Sequence, residues 1–387
     1  MEDRETVRQS LRSVRRIVVK VGTNLLRGSD EGLNLGFMES LARQISEIQL
    51  AGIDVILVSS GAVGAGCHVL GFDEPPAETH LRQALAAIGQ SRLMHHYKQL
   101  FNACGLRVAQ VLLTRDSLDH RMRYLNARNT FETLLHWHIL PIVNENDTTA
   151  VEELRFGDND QLSALIAGKI GADLLAILTD VEGIFDRPPS EPGAVRIPYL
   201  SAVRRSRLKI GQGRPGSFGL GGMKSKLEAA GMATRAGILT FVGPGRAERI
   251  LHRVLQGEEI GTWCIPQRRR ISARKRWLAL GKRIGDGRVY VDAGAEDALR
   301  NGGKSLLPSG VCRVEGNFQT GELIRILDAS ENEIAIGLCR YSAVELDRIR
   351  GCRTTEVLEM LGDRQFLEVV HRNDMVVMKN ERTDDDG

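Results

Sequence analysis

A lysine embedded in an apolar run is the first sign of chemistry in this sequence. In VVKVGTN (18–24), Lys20 stands among valines just before Gly22 and a turn. Burying an ammonium group is costly unless an anion meets it, and Gly22 can offer backbone N–H to a phosphate. A lysine snorkelling at a strand end is the structural alternative. VSSGAVGAG (58–66) ends an apolar run in Ser59-Ser60 and continues into small residues that can open a helix. Helix N-termini bind anions, so Ser60 and Gly61 are candidates for a carboxylate or phosphate. Ser60 can equally cap the helix, and the glycines can serve close helix–sheet packing. NENDTT (144–149) and FGDNDQLSA (156–164) place Asn144, Asp147, Asp158, Asn159 and Asp160 beyond one apolar run and at the start of a helical pattern. That concentration suits an ammonium group, or Mg²⁺ through water. Asp158 alone reads as a cap.

Two further stretches suit a nucleotide. LTDVEGIFDRPP (178–189) delivers Thr179 and Asp180 at the end of an apolar run, followed by a turn. GSFGLGGMKSKLEAA (216–230) sets glycines before a helical pattern whose first turn carries Lys224 and Lys226. Its physics is that of a P-loop, but Met223 stands where that motif needs glycine. Other features carry less. GQGRPG (211–216) matches a dinucleotide fingerprint but follows no apolar strand. The pairs His95-His96 and His136/His138 lack the context of metal ligands and read as helix surface and core.

Six apolar runs position these groups: 16–22, 53–60, 107–113, 139–146, 173–180 and 237–243. Each is rich in Val, Ile and Leu and ends in small or polar residues. Unbroken apolar strands are buried on both faces, as in a parallel sheet covered by helices. Helical patterns fall between them at 36–51, 78–103, 124–137, 160–171 and 221–236. The alternation predicts an α/β fold, a three-layer α/β/α sandwich around a mainly parallel sheet. Ligands of such sheets lie beyond the carboxyl ends of the strands, where the polar signatures fall.

The pattern changes near 266. A basic stretch, QRRRISARKRW (267–277), leads into short runs such as RVYVDAG, GVCRVEG, ELIRILD and EIAIGLCRYS. These predict a small all-β barrel of about 80 residues. The expected organisation is 1–266 for the first domain with 1–14 as an extension, 267–285 as a basic linker, 286–374 for the second domain and 375–387 as a tail.

With 387 residues, 42% hydrophobic and 26% charged, each domain can build a core. Lys plus Arg is 52 against 49 Asp plus Glu, a net charge of +3, so no global field draws nucleic acid. No apolar run reaches the ~18 residues of a membrane span. The first sixteen residues hold five arginines and three acids but no apolar core of a signal peptide. The six scattered cysteines form no CxxC and read as reduced thiols of a cytoplasmic protein.

Taken in order, VVKVGTN, VSSGAVGAG, NENDTT, GDNDQLSA, LTDVEGIF and GLGGMKSK resemble the amino acid kinase family. TRDSLDHRMRYLNARNT (114–130) is similar to its glutamate-phosphorylating branch, and LLPSGVCRVEGNFQTGELIRI (306–326) resembles a PUA domain. The resemblance spans about residues 15 to 375. It implies ATP-dependent phosphorylation of the side-chain carboxylate of L-glutamate, the first step of proline biosynthesis. Lys20 and Lys226 would neutralise the transferred phosphoryl group, Asp160 would orient them, and Mg²⁺ would bridge the nucleotide phosphates. Gly22 and Gly61 would add N–H groups. On the substrate side the resemblance implies Ser60, Asn144, Asp147 and Asn159, with Asp147 on the α-ammonium and Ser60 and Asn159 on carboxylates. For ATP it implies Lys20, Gly22, Thr179, Asp180 and the run Leu220, Gly221, Gly222, Met223, Lys224, Ser225 and Lys226. Leu220 departs from the family, which usually carries threonine there. Feedback inhibition by proline, a homo-oligomer (dimer or tetramer) and hand-over to a glutamyl phosphate reductase are also implied. PUA domains bind RNA elsewhere, so RNA binding stands beside a structural or regulatory role. Two other readings remain: a kinase of N-acetylglutamate, aspartate or carbamate, and an RNA-binding regulator.

Overall fold

The computed structural model describes residues 2–30, 32–114, 117–118, 121–149, 159–187, 191–201, 220–266, 286–361 and 367–378. The chain divides near residue 273 into two compact units.

In the first unit, the six apolar runs become strands β1 (Arg16–Val21), β3 (Asp54–Val58), β4 (Val108–Leu113), β5 (Leu140–Glu145), β6 (Leu174–Thr179) and β8 (Leu239–Pro244). Three short strands were not expected: β2 (Arg27–Asp30), β7 (Tyr199–Ser201) and β9 (Thr262–Ile265). The sheet order is β4-β5-β3-β1-β6-β8-β9-β7. All its ladders are parallel except β8 with β9. The mainly parallel α/β sheet is therefore as expected. β1, β5 and β6 are buried along nearly their whole length, whereas edge strand β4 is only partly covered.

Helices α1 (Glu2–Leu11), α3 (Leu35–Leu50), α5 (Thr79–Ala103), α6 (Arg121–His136), α7 (Asn159–Ile170), α8 (Leu220–Arg235) and α9 (Ile250–Leu255) are joined by two shorter ones, α2 (Thr23–Leu26) and α4 (Ala62–Leu70). Neighbouring residues of a strand feed opposite cores. Ile17, Val19 and Val21 join one with residues of α1, α3, α5 and α9; Val18, Ile56 and Val58 join the other with residues of α6, α7 and α8. Two cores flanking one sheet make the three layers. Of the residues 1–14 read as an extension, Val7, Leu11 and Val14 belong to the first core. The five arginines in the first sixteen residues masked that apolar stripe.

The second unit is not all-β. Its strands β10 (Arg288–Val291), β11 (Val311–Glu315), β12 (Leu323–Leu327), β13 (Glu333–Leu338) and β14 (Met375–Val377) form a sheet in the order β11-β10-β12-β13-β14. Helices α10 (Ala293–Arg300), α11 (Ala343–Ile349) and α12 (Thr354–Leu361) accompany it. Leu299, Leu346, Ile349 and Val357 of these helices share one core with Val289, Ile324, Ile326 and Ile334. Strand β14 pairs with β13, so Met375–Val377, expected in the tail, belongs to the sheet. The expected linker at 267–285 and the last nine residues lie outside the described residues, as do Asp158 and GQGRPG. Among the described residues, no helix is long and apolar enough to cross a membrane.

Candidate active site

Strand parity decides where Lys20 goes. Side chains alternate across a strand, so Lys20 shares a face with Val18, the face covered by α7 and α8. Asp160 stands in the first turn of α7 and Lys226 in the second turn of α8, one turn later than expected. The Lys20 ammonium lies 2.5 Å from Asp160 Oδ1, and that of Lys226 lies 3.2 Å from Asp160 Oδ2. Lys20 is 1% and Asp160 0% exposed. Ser225 Oγ donates to Asp160 Oδ2 at 2.8 Å, and Lys226 also donates to the Gly222 carbonyl at 3.2 Å. Burial pushes the Asp160 carboxyl upward; the charges of Lys20 and Lys226, with hydrogen bonds from Lys20 and Ser225, outweigh it and hold the group below its ordinary range. One carboxylate thus keeps two ammonium groups beside each other at the strand ends.

A second group forms from neutral amides. Asn159, the neighbour of Asp160, donates through Nδ2 to the Ser59 carbonyl (2.6 Å), Asn144 Oδ1 (2.8 Å) and Ser60 Oγ (3.2 Å). Asn144 Oδ1 also accepts from the Glu145 backbone N–H at 3.0 Å, while its Nδ2 donates to Gln90 Oε1 at 2.7 Å. All three of the Asn159 contacts use Nδ2, so its amide N–H groups are engaged within the protein. Ser60 does not cap α4. Gly61 is the N-cap, in the left-handed region at φ +91°, a conformation that costs glycine little.

A cavity of about 640 Å³ lies beside these amides, lined among others by Thr23, Ser60, Gly61, Asn144, Asp147 and Asn159. That size is typical of small-molecule sites. The first turn of α4, Ala62 to Gly64, also faces it, presenting backbone N–H groups to an anion. A second cavity, of about 370 Å³, shares Ala62, Glu145 and Asp147 with the first.

Other expected residues are placed differently. The Gly22 N–H already donates to the Leu178 carbonyl at 3.0 Å. It extends the ladder between β1 and β6 and is not open to a phosphate. The close-packing role read for the glycines of 58–66 holds for Gly66, but against a helix: a Cβ there would meet the Leu85 carbonyl of α5. Thr179 Oγ1 donates to Asp180 Oδ1 at 3.0 Å, and Asn24 Nδ2 to Asp180 Oδ2 at 2.8 Å. Burial raises the Asp180 carboxyl, yet those hydrogen bonds hold it below its ordinary value. Leu220 and Gly221 open α8, Met223 packs against the second core, and Lys224 is exposed. Asn24 and Gln90 were not foreseen. Asn24 lies inside VVKVGTN and was in view; Gln90 lies mid-helix in α5 with no motif around it.

This fold and site define a class. The profile of the amino acid kinase family matches residues 15–243 and that of the PUA domain residues 287–361; the chain belongs to the amino acid kinase family. Its curated relatives narrow the class. The glutamate 5-kinase of Geobacter sp. (strain M21) is 44% identical over 96% of this chain and 100% of its own length. That of Moorella thermoacetica is 45% identical over 98% of this chain and 100% of its own. That of Nitratidesulfovibrio vulgaris (strain DP4) is 46% identical over 97% and 99%.

Proposed function

We propose that this chain transfers the γ-phosphoryl group of ATP to the side-chain carboxylate of L-glutamate, giving L-glutamyl 5-phosphate. The observation that carries the reading is the meeting of two unlike groups at consecutive residues. Asp160 gathers two lysines where phosphoryl charge would pass, and Asn159 faces a cavity that Asp147 also lines.

The nucleophile needs no general base, because a glutamate carboxylate with a pKa near 4.3 is ionised at neutral pH. The obstacle is repulsion between two anions, which positive charge and positioning overcome. Lys20 and Lys226 stabilise charge on the transferred group, and Asp160 keeps them preorganised. Asp147 and Asn159 Oδ1 accept from the α-ammonium. Ser60 and the first turn of α4 meet a carboxylate. Thr179, Asp180 and the start of α8 serve the nucleotide. Mg²⁺ prefers oxygen ligands and keeps several waters. Both oxygens of Asp160 are engaged by cations, so the ion would be held by phosphate oxygens and water, and when bound it neutralises phosphate charge. Proline presents an ammonium and a carboxylate to the same acceptors and N–H groups, and we infer that it competes with glutamate in the cavity.

The test is ADP release with ATP and Mg²⁺ over a panel of acceptors. Release dependent on L-glutamate and suppressed by proline supports the reading. Equal or faster release with N-acetylglutamate or aspartate overturns it, because neither matches a site built around a free ammonium at glutamate's length.

A further inference from the structure

Helix α5 reaches the amide group twice. Tyr97 OH is hydrogen-bonded to Ser59 Oγ at 2.9 Å, and Gln90 Oε1 accepts from Asn144 Nδ2 at 2.7 Å. Residues seven apart lie on one helix face. Gly89, next to Gln90, seats that face on α4: a Cβ there would lie 1.8 Å from the Ala62 carbonyl.

The direction of the amide chain follows from two backbone groups. A backbone N–H only donates, so the Asn144 atom facing the Glu145 N–H is its oxygen, and its nitrogen must face Gln90. A backbone carbonyl only accepts, so the Asn159 atom facing Ser59 is its nitrogen. Gln90 therefore has to present its oxygen to complete the chain from Gln90 through Asn144 to Asn159. At the far end, Asn159 lines the cavity.

We propose that Gln90 is a positioning residue of the glutamate site: its side-chain oxygen takes the Asn144 Nδ2 hydrogen bond and, together with the Glu145 N–H, holds the Asn144 amide whose Oδ1 anchors Asn159 beside the cavity. The proposal rests on the reading of the cavity as the glutamate site. Without an acceptor at Gln90, the buried Asn144 Nδ2 loses that hydrogen bond. Asn144 Oδ1 is then held less firmly, and Asn159 loses part of its anchoring beside the substrate although Ser59 and Ser60 still hold its Nδ2.

The experiment compares Gln90→Met, which removes the acceptor at similar volume, with Gln90→Glu, which keeps an oxygen in place. Gln90→Leu serves as a second acceptor-free variant should Gln90→Met fail to fold. Loss of the acceptor should raise the glutamate KM about tenfold and leave kcat within about twofold and the ATP KM unchanged; Gln90→Glu should stay close to wild type. An unchanged glutamate KM in the acceptor-free variants overturns the proposal. So does equal impairment in Gln90→Glu, which would make the role one of packing. Failure of the wild-type chain to use glutamate at all would instead overturn the functional reading itself.

Discussion

The two halves of the site are held together by opposite means. At Asp160 the contacts are between full charges: one carboxylate, two ammonium groups, nearly complete burial. At Asn159, one residue earlier, they are between neutral amides, a hydroxyl and backbone. A phosphoryl group in transfer spreads negative charge that a preorganised cation meets best, so charge is concentrated there. A substrate that brings its own ammonium and carboxylates is better met by oriented dipoles, with Asp147, which lines the cavity, as the proposed charged partner. The first turn of α7 belongs to both halves, which ties acceptor binding to phosphoryl positioning through a single rigid element.

The sharpest way to break this contrast is Asp160→Asn. It leaves two buried ammonium groups around a neutral amide, and breaking a buried ion pair from one side costs about 3–5 kcal/mol. A fall in Tm of roughly 10 °C, read by thermal denaturation, should accompany lost activity. Lys20→Ala and Lys226→Ala come next. Each should lower kcat by about 3 kcal/mol, on the order of 100-fold, with a smaller change in the glutamate KM; steady-state kinetics at saturating ATP would show it, and an unchanged kcat removes the lysine from the transfer step. Asp147→Ala should show the reverse split. Loss of a charge-assisted hydrogen bond should raise the glutamate KM at least about tenfold with kcat little altered.

How far the sequence reached differs between the two halves. Lys20 was legible because a charge in an apolar run is expensive without a reason, Asp160 because it falls in a concentration of Asp and Asn beyond one apolar run, and Lys226 because a lysine at a glycine-rich helix start suits a phosphate. Strand β1, which carries Lys20, was legible because both its faces are buried. Gln90 was not: a neutral amide in a long helix looks like any exposed position, and only the packing of α5 on α4 gives it a task. The engaged N–H of Gly22 was also invisible, since the register of β1 with β6 decides it. In the second unit, short amphipathic helices between strands, such as Ala293–Arg300, were read over because the alternating runs around them dominate.

Two smaller effects sharpen the comparison. Gly89→Ala forces α5 away from α4, where overpacking costs about 1–3 kcal/mol. It should raise the glutamate KM more than the ATP KM, since the amide half leans on α5. The charged half should also carry a pH signature. The Asp160 carboxyl is held below its ordinary 3.8, so its stabilisation is fully present above the unfolded-state value and is lost as pH falls through the folded-state value. The stability gap between wild type and Asp160→Asn should stay level from neutral pH down to about pH 4 and narrow only below that, as urea titrations across pH would reveal.

The central claim is that the acceptor atom is a carboxylate oxygen of glutamate, so the product is an acyl phosphate. Hydroxylamine traps acyl phosphates as hydroxamates. With the full chain, ATP, Mg²⁺ and L-glutamate, the account predicts hydroxamate in step with ADP, dependent on glutamate and reduced by proline. ADP release without hydroxamate would contradict it and move the acceptor away from a carboxylate.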